Sequence, residues 1–484
     1  MKKISPILLG ISLLLTTSSC FKDRDDEVQP ASTLEIQDFI YKAMNIWYLY
    51  KPNVPDLADD RFTTDEDYTN FLSSFDSPES LYYDGLIDNV NDRFSFMTDD
   101  YRELENSFAG VTLQNGLDYT LRFEPGSNVN VMAVVRYVVP GSPANAAGMV
   151  RGDIFNKIDG QQLTATGGSL SATSRTLLNQ DSYTISLATY NGSTLEATGE
   201  TVSLNKVELT ENPILIAETL DVNSQKIGYL MYNSFTANFD EQLNDAFAKF
   251  KTDGVTDLVL DLRYNGGGSV RTATDLAAMI TGQFDGDIFS TEVWNPQIQE
   301  IFNTQDPTAL ENRFNTTIRT GAAINSLELT RIFIIGTGST ASASELVING
   351  LAPYITVTQI GTTTVGKFQA STTFYDSEAP NFQRDGANPN HYYAIQPLIF
   401  TSANADGVTG FVNGIDPDIE IEENVFNLGT LGDVNEPLLA EALAQITGRS
   451  MTRQLENFEV YKSVGERGMD SPTYQRMYVD GVEQ

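Results

Sequence analysis

The chain has 484 residues, with 30 Lys and Arg against 65 Asp and Glu, so its formal net charge is −35. At roughly 100–200 residues per domain, this length predicts several domains, and 41% hydrophobic residues are typical of a globular protein. The acidic balance disfavours a nucleic acid partner, because phosphate binding requires a basic surface.

The rarity of cysteine and histidine restricts the possible chemistry. Cys20 is the only cysteine and His391 the only histidine. One chain therefore cannot form an internal disulfide or a Cys-rich zinc site, and a Ser-His-Asp triad could use only His391. We expect no metal and no cofactor, and hydrolytic chemistry would depend on Ser, Thr, Lys, Asp, Glu or Tyr.

The amino terminus is predicted to be a lipoprotein signal peptide over residues 1–19. Lys2 and Lys3 precede a short apolar run at 7–15, and small residues then lead to Cys20. The run is too short to span a bilayer. The pattern resembles a bacterial lipoprotein signal, in which Cys20 is lipidated, and we expect membrane contact through this anchor only. The alternative is an ordinary signal peptide with an incidental cysteine.

Residues 20–35 are predicted to form an acidic tether. The stretch 21–27 combines a lysine with acidic residues and resembles the segment that sends some Bacteroidetes lipoproteins to the cell surface. A solvated linker is the alternative. We therefore expect an outer-membrane lipoprotein of the cell envelope, facing either the periplasm or the outside.

Two regions precede the main catalytic candidates. Residues 36–105 are predicted to be a helical module, since aromatic residues recur at helical spacing before Pro52 and again at 68–75. Residues 106–212 change to strand periodicity at 129–139, 183–190 and 201–207.

Residues 139–160 resemble a PDZ domain, with a turn, a short Ala-rich helix and a strand that ends in Asp-Gly. PDZ domains bind a peptide as an added strand and hold its terminal carboxylate on backbone N–H groups. Ala109, Gly110 and Val111 are the candidate peptide-binding residues.

Residues 213–445 alternate strands and helices, which predicts an α/β domain with parallel pairing. Strands are predicted at 227–232, 257–262 and 331–335, with helices between and after them at 241–250, 272–280 and 344–350. Residues 446–484 are polar and are predicted to be a peripheral C-terminal tail.

Two strand-to-helix turns in this domain are candidates for chemistry. In residues 258–269 an apolar strand leads into Gly266, Gly267 and Gly268, whose amides could bind phosphate or an oxyanion, or form a plain tight turn. Residues 332–346 lead a strand into a Ser-rich turn, which could expose a nucleophile or simply cap a helix.

Lys367 is the only lysine between Thr252 and Tyr461, and small or apolar residues precede it. Burial would disfavour its charged form, so that a neutral amine could accept the proton of a serine. The alternative is a lysine at a strand end that reaches water.

Four motifs in order resemble the carboxyl-terminal processing (tail-specific) proteases over residues 36–445, and the PDZ-like module fits the same family. The motifs are Gly-Ser-Thr-Ala-Ser-Ala-Ser-Glu at 338–345, Lys367, Asp-Leu-Arg-x-Asn-Gly-Gly-Gly at 261–268 and Gly-Ile-Asp-Pro-Asp at 414–418.

The resemblance implies an α/β multidomain fold with a crotonase/ClpP-like core, and a serine endopeptidase that acts on protein or peptide substrates. Ser342 matches the nucleophile and Lys367 the base. Gly267 or Gly268, with the amide of Ala343, would form the oxyanion hole.

The residue that orients Lys367 stays open. Some relatives place a Gln four residues after the lysine, where this chain has Ser371, and others place an Asp at the position of Pro353. Gln369, Ser371 and Glu345 are the candidates. Because these departures could weaken catalysis, a surface binding protein on a protease scaffold is the alternative function, and a ligand-binding protein with a closed apolar cavity is a third.

Other candidate sites fit less well. Ser203 and Lys206 have Ser-x-x-Lys spacing but lie in an alternating strand, and His391 is predicted to be a loop residue. Asp416 and Asp418 could form an acid/base pair or a metal site, but a turn is the preferred interpretation.

Overall fold

The structure is a computed structural model that describes residues 30–448 and 458–481. The predicted signal peptide at 1–19, the lipidation site Cys20 and residues 20–29 of the tether lie outside the described residues. Within the described ranges, no helix is both long enough and apolar enough to cross a membrane.

The first region is mainly helical. Its first helix starts after Ser32, whose hydroxyl accepts the Glu35 N–H while the Glu35 carboxylate accepts the Ser32 N–H. Trp47, at the end of this helix, stacks on Phe374 of the third region, so the two regions share one core. The elements are α1 (Thr33–Trp47), α2 (Asp65–Ser73), α3 (Pro78–Ser80), β1 (Phe96–Thr98) and α4 (Tyr101–Phe108).

The second region is built on an antiparallel sheet with its own hydrophobic core. Its strands are β2 (Val111–Gln114), β3 (Leu117–Phe123), β4 (Val131–Val138), β5 (Ile154–Ile158), β6 (Gln161–Gln162), β7 (Ala165–Thr166), β8 (Ser169–Leu170), β9 (Ser182–Tyr190), β10 (Leu195–Asn205) and β11 (Val207–Thr210). Its helices are α5 (Pro143–Ala146) and α6 (Ala172–Asn179). The main sheet has the order β10-β9-β5-β4-β3, and β2 pairs with β11 separately.

The third region has the α/β alternation predicted from the sequence. Its strands are β12 (Ile214–Val222), β13 (Gln225–Tyr232), β14 (Asp257–Asp261), β15 (Gly268–Ser269), β16 (Ile288–Trp294), β17 (Glu311–Arg313), β18 (Arg331–Gly336), β19 (Thr356–Gly361), β20 (Gln369–Ser371), β21 (Phe374–Tyr375), β22 (Ala394–Gln396), β23 (Leu398–Asn404) and β24 (Ile419–Glu420). Its helices are α7 (Asp240–Asp253), α8 (Val270–Thr281), α9 (Pro296–Gln305), α10 (Ala343–Leu351) and α11 (Pro437–Thr447).

A six-stranded sheet of order β12-β13-β14-β18-β19-β24 forms the centre of this region. From β13 to β24 all neighbouring strands are parallel. Every residue of β14 is buried, as expected for a parallel strand covered on both faces. The carboxyl ends of β14 and β18 therefore lie side by side, and both candidate turns follow them.

The C-terminal segment is integrated into the fold, so the predicted peripheral tail at 446–484 is wrong for the described residues 458–481. Its strand β25 (Ser463–Glu466) pairs antiparallel with β3. Its strand β26 (Met477–Tyr478) pairs in parallel with β15 and β20. Met477 is fully buried. The two strands have only four and two residues, which is too short to give a strand pattern in the sequence.

Candidate active site

The two candidate turns contact each other. The Ala341 N–H donates to the Asn265 carbonyl at 3.0 Å, and the Ser344 hydroxyl donates to the same oxygen at 3.1 Å. A Cβ at Gly267, where φ is +108°, would lie 2.7 Å from Ser342 Cβ and 3.0 Å from the Ala343 nitrogen. Only glycine allows this approach, and it brings together Gly267, Ser342 and Ala343 as the resemblance implied.

Ser342 occupies a strained and enclosed position at the start of α10. Its φ of +67° lies in the left-handed region, which non-glycine residues rarely adopt. A strained strand-to-helix turn of this kind presents a serine at the edge of a parallel sheet. The residue is fully buried, and its Oγ has no hydrogen-bond partner among the described residues.

Lys367 is also fully buried, and its Nζ lacks a hydrogen-bond partner in the described part of the chain. The Nζ lies 4.9 Å from the centroid of the Phe94 ring. Burial lowers the pKa of Lys367 well below its ordinary value, and the charge of Arg476 lowers it further, whereas Asp92 and Glu345 oppose the shift. The environment therefore favours the neutral amine that a general base requires.

Glu345 joins the two turns through its carboxylate. It accepts hydrogen bonds from the Ser342 N–H at 2.7 Å, the Gly366 N–H at 2.7 Å and the Lys367 N–H at 2.9 Å, and from the Thr364 hydroxyl. Burial raises the pKa of Glu345, although these hydrogen bonds oppose the rise. Glu345 therefore fixes the backbone, rather than the amine, of Lys367.

The other two candidates for orienting Lys367 differ. The Ser371 hydroxyl donates to the Met477 carbonyl at 3.2 Å, so its hydrogen bond is used within the sheet. The Gln369 amide donates to the Tyr50 hydroxyl at 2.9 Å, while its Oε1 is buried without a partner among the described residues. Gln369 Oε1 is thus a free acceptor for a hydrogen bond from the Lys367 amine.

The oxyanion-hole candidates are not all available in this state. The Gly267 N–H donates to Asn265 Oδ1 at 2.8 Å, so it would have to exchange this partner for a substrate oxygen. Gly268 belongs to β15, where a Cβ would lie 2.3 Å from the Phe235 carbonyl oxygen. The Ala343 N–H is at the N-terminus of α10, where backbone donors favour an anion.

A buried ionic cluster holds the segment that leads into the glycine turn. The Arg263 guanidinium is fully buried and donates to Asp261 at 2.8 Å, to Glu436 at 2.7 Å and to Glu423 at 3.1 Å. Its side chain therefore anchors the segment between β14 and Gly266. Removing one partner of such a cluster leaves uncompensated charge in the interior.

We expect Arg263→Ala to lower the free energy of unfolding by about 3–5 kcal/mol, because Asp261 and Glu436 would remain buried without a counter-charge. Urea denaturation, followed in the Ser342→Ala background to prevent self-digestion, measures the loss. Lys226→Ala is the matched control, since both side chains of its ion pair with Asp221 are exposed and such a pair is expected to contribute little to stability. Equal, small losses in both variants would contradict the assigned role.

The structure places the predicted peptide-binding residues Ala109, Gly110 and Val111 outside the main sheet of the second region, with Val111 in the β2–β11 ribbon. The Ala109 N–H donates to the Glu105 carbonyl and the Gly110 N–H to the Ser107 carbonyl. These two amides are therefore engaged within the chain, which disfavours them as donors to a peptide carboxylate. The turn that directly precedes β3 is formed by Asn115 and Gly116, rather than by Ala109, Gly110 and Val111.

The remaining sequence candidates lie outside this site and have local partners. Ser203 faces Thr184, and the Lys206 amine donates to the Asn179 carbonyl. His391 Nε2 lies 2.9 Å from Asp376 Oδ2. Asp416 accepts from Thr363, and Asp418 accepts from the Gln359 N–H, as side chains in a structured turn do.

Sequence reasoning missed the residues that surround Lys367 from distant segments. Phe94 and Asp92 come from the first region, and Arg476 from the C-terminal segment. Asp92 is buried and accepts the Tyr48 hydroxyl at 2.8 Å. Nothing in their local sequence marks these residues, because only the tertiary fold brings them to the site.

Two family models match the chain. The model for peptidase family S41 matches residues 226–421, and the model for the peptidase S41 N-terminal domain matches residues 35–96. The first range includes both turns and Lys367. The second covers most of the first region of the fold.

Individual relatives agree with the family models. A chloroplastic C-terminal processing peptidase from Tetradesmus obliquus is 28% identical over 51% of this chain and 50% of its own length. A carboxyl-terminal-processing protease from Picosynechococcus sp. is 27% identical over 55% of this chain and 57% of its own. The chain thus spans about half the length of these relatives.

A crystal structure from Bacteroides fragilis, assigned to the S41 proteases, shows the same fold over most of the chain. The two share 25% sequence identity and superpose with a TM-score of 0.62. The similarity covers 84% of this chain and 97% of that structure.

Proposed function

We propose that this chain, which belongs to peptidase family S41, is a serine endopeptidase that uses Ser342 as nucleophile and Lys367 as general base. The observation that carries the proposal is a pair of buried, unpartnered groups: the Ser342 hydroxyl, next to Gly267, and the amine of Lys367, whose backbone is joined to the Ser342 turn through Glu345. Leaving two buried polar groups without hydrogen bonds costs free energy, and such groups are typical of functional sites.

The proposed reaction starts when the neutral Lys367 amine approaches Ser342 and accepts its proton. The Ser342 oxygen attacks a peptide carbonyl, and the developing oxyanion is held by the N–H groups of Ala343 and Gly267. An oxyanion donor of this kind is worth about 3–4 kcal/mol in the transition state. The protonated Lys367 then gives its proton to the leaving amine, and water hydrolyses the acyl-enzyme to restore the Ser342 hydroxyl.

The roles of the other residues follow from their contacts. Glu345 is a positioning residue, since it ties the Ser342 turn to the Lys367 backbone. Gln369 Oε1 is the acceptor that we assign to the Lys367 amine. Gly268 supports the turn by its close approach to Phe235, rather than by donating to the oxyanion.

The proposal extends to the second region and the amino terminus. We assign the second region as a PDZ-like module and the first as a helical module of the protease. The signal-like sequence that ends at Cys20 supports attachment by a lipid anchor in the cell envelope, as an outer-membrane lipoprotein. The substrates are then proteins or peptides of that compartment.

Proteolysis of an unfolded protein tests the function directly. We expect the purified protein to cleave reduced, unfolded casein and quenched fluorescent peptides derived from it, with fragments identified by mass spectrometry. The alternative, a binding protein on a protease scaffold, is favoured by Ser371 and Pro353, which stand where relatives carry the residue that orients the lysine. Binding of these peptides without any hydrolysis would establish that alternative.

A further inference from the structure

The edge of the main sheet in the second region is covered by the chain's own C-terminal segment. Strand β25 runs antiparallel to β3, with Gly465 opposite Leu121 and Glu466 opposite Thr120. The side chain of Val464 packs into the core of this region. This is the geometry by which an extended peptide adds a strand to a sheet edge.

The same segment continues into the candidate active site. Strand β26 lies between β15 and β20 and pairs in parallel with both. The Arg476 carbonyl oxygen lies 2.5 Å from the position that a Cβ would take at Gly267, and Ser342 Cβ lies 2.7 Å from that same position. The backbone of Arg476 therefore occupies the space beside the nucleophile that a substrate would need.

Side chains of the segment fasten it at both ends. We call the surface along β3 that β25 covers the groove. At one end of it the Arg467 guanidinium donates to Glu211 at 3.2 Å and contacts Gln114. At the other end, the Arg476 guanidinium donates to the Phe94 carbonyl, and Phe94 is also the ring beside Lys367.

Glu466 connects the bound segment to the nucleophile turn. Its carboxylate accepts the Ser339 hydroxyl at 2.5 Å, and Ser339 lies three residues before Ser342. The same carboxylate contacts Arg136 of β4, and its second oxygen accepts the Tyr474 hydroxyl at 2.7 Å. Movement of β25 would therefore act on both the Ser342 turn and the part of the segment that enters the cleft.

We propose that residues 463–478 are a displaceable internal ligand that keeps the protease closed, and that an extended peptide binding along β3 opens it. The inference rests on the proposed function. In the described state the Arg476 carbonyl lies against Gly267, the Gly267 N–H is bound to Asn265, and Ser342 makes no hydrogen bond with Lys367. Each of these features is expected of a closed form.

The contacts of the segment define the peptide that would replace it. The peptide lies antiparallel to β3, places an apolar side chain where Val464 lies, and carries a basic side chain where Arg467 meets Glu211. The groove accepts an internal stretch of chain, because residues 467–474 continue from it into the cleft. Unfolded polypeptides with this pattern are the partners that we infer.

A reversible disulfide between β25 and β3 tests the inference. Arg122 and Ser463 are paired across these strands, at a separation within reach of a disulfide. We compare Arg122→Cys/Ser463→Cys with each single variant, all in a Cys20→Ser background, and verify the bond by mass spectrometry. We expect oxidation to lower the rate of peptide hydrolysis by about tenfold or more, because the disulfide locks the protein in the closed form. Reduction of the disulfide should restore the rate.

A second variant gives the opposite effect without relying on the disulfide. Arg467→Glu places like charges together at Glu211 and should release β25, raising the rate of hydrolysis, and Glu211→Arg/Arg467→Glu should lower it again. An oxidised double-cysteine protein as active as its reduced form would overturn the inference, and so would an unchanged rate in Arg467→Glu. Absence of hydrolysis in every form, including the reduced one, would instead overturn the proposed function.

Discussion

Replacing Ser342 by alanine is expected to lower kcat/KM for peptide hydrolysis by about 10⁴-fold or more, because no acyl-enzyme can form without the Oγ atom. The folded state should be unaffected, since the Ser342 hydroxyl makes no hydrogen bond among the described residues. Hydrolysis of a quenched fluorescent peptide measures the first effect. The thermal unfolding midpoint measures the second.

Ser344→Ala is the matched control for this experiment. Ser344 is two residues further on, is also buried, and uses its hydroxyl to bind the Asn265 carbonyl. Its loss should cost about 1 kcal/mol of stability and leave most of the activity. If Ser344→Ala lost activity and Ser342→Ala retained it, the nucleophile would be wrongly assigned.

Replacing Lys367 by methionine is expected to lower kcat by about 10²–10⁴-fold, the usual contribution of a general base. Methionine keeps most of the volume and removes the amine. Since the amine is buried without a partner in the described structure, its removal should also raise the free energy of unfolding. Loss of activity together with a gain in stability is not expected of a lysine with a structural role.

The gain in the free energy of unfolding that we expect for Lys367→Met should grow as the pH is lowered. The pKa of Lys367 is lowered in the folded state, so between this lowered value and the ordinary 10.5 the unfolded chain binds more protons than the folded one. Wild-type stability therefore falls as the pH decreases through this window, and the advantage of Lys367→Met should grow. Lys367→Arg, which keeps a charge, should be both inactive and less stable.

Local sequence patterns predicted the elements that build the candidate site. The apolar run of β14, the three glycines after it and the Ser-rich turn before α10 each have a clear local signature. The resemblance to the carboxyl-terminal processing proteases then implied that Gly267, Ser342 and Ala343 lie together. In the structure Gly267 approaches both Ser342 and Ala343 closely.

Other features depend on contacts that local patterns do not contain. The positive φ of Ser342 is imposed by the packing of the turn. Phe94 and Arg476 reach Lys367 from opposite ends of the chain. The C-terminal segment was predicted to be peripheral because its composition is polar, yet its polar residues are satisfied by buried partners such as Arg136.

Titration of the Lys367 amine tests the central claim most directly. Lysines labelled with ¹³C at Cε can be followed by NMR from pH 6 to 11, and the Lys367 signal is assigned by its loss in Lys367→Met. We expect it to titrate well below the ordinary lysine pKa, so that the amine is neutral where the enzyme works. An amine that stays protonated up to about pH 10 would contradict its role as the base.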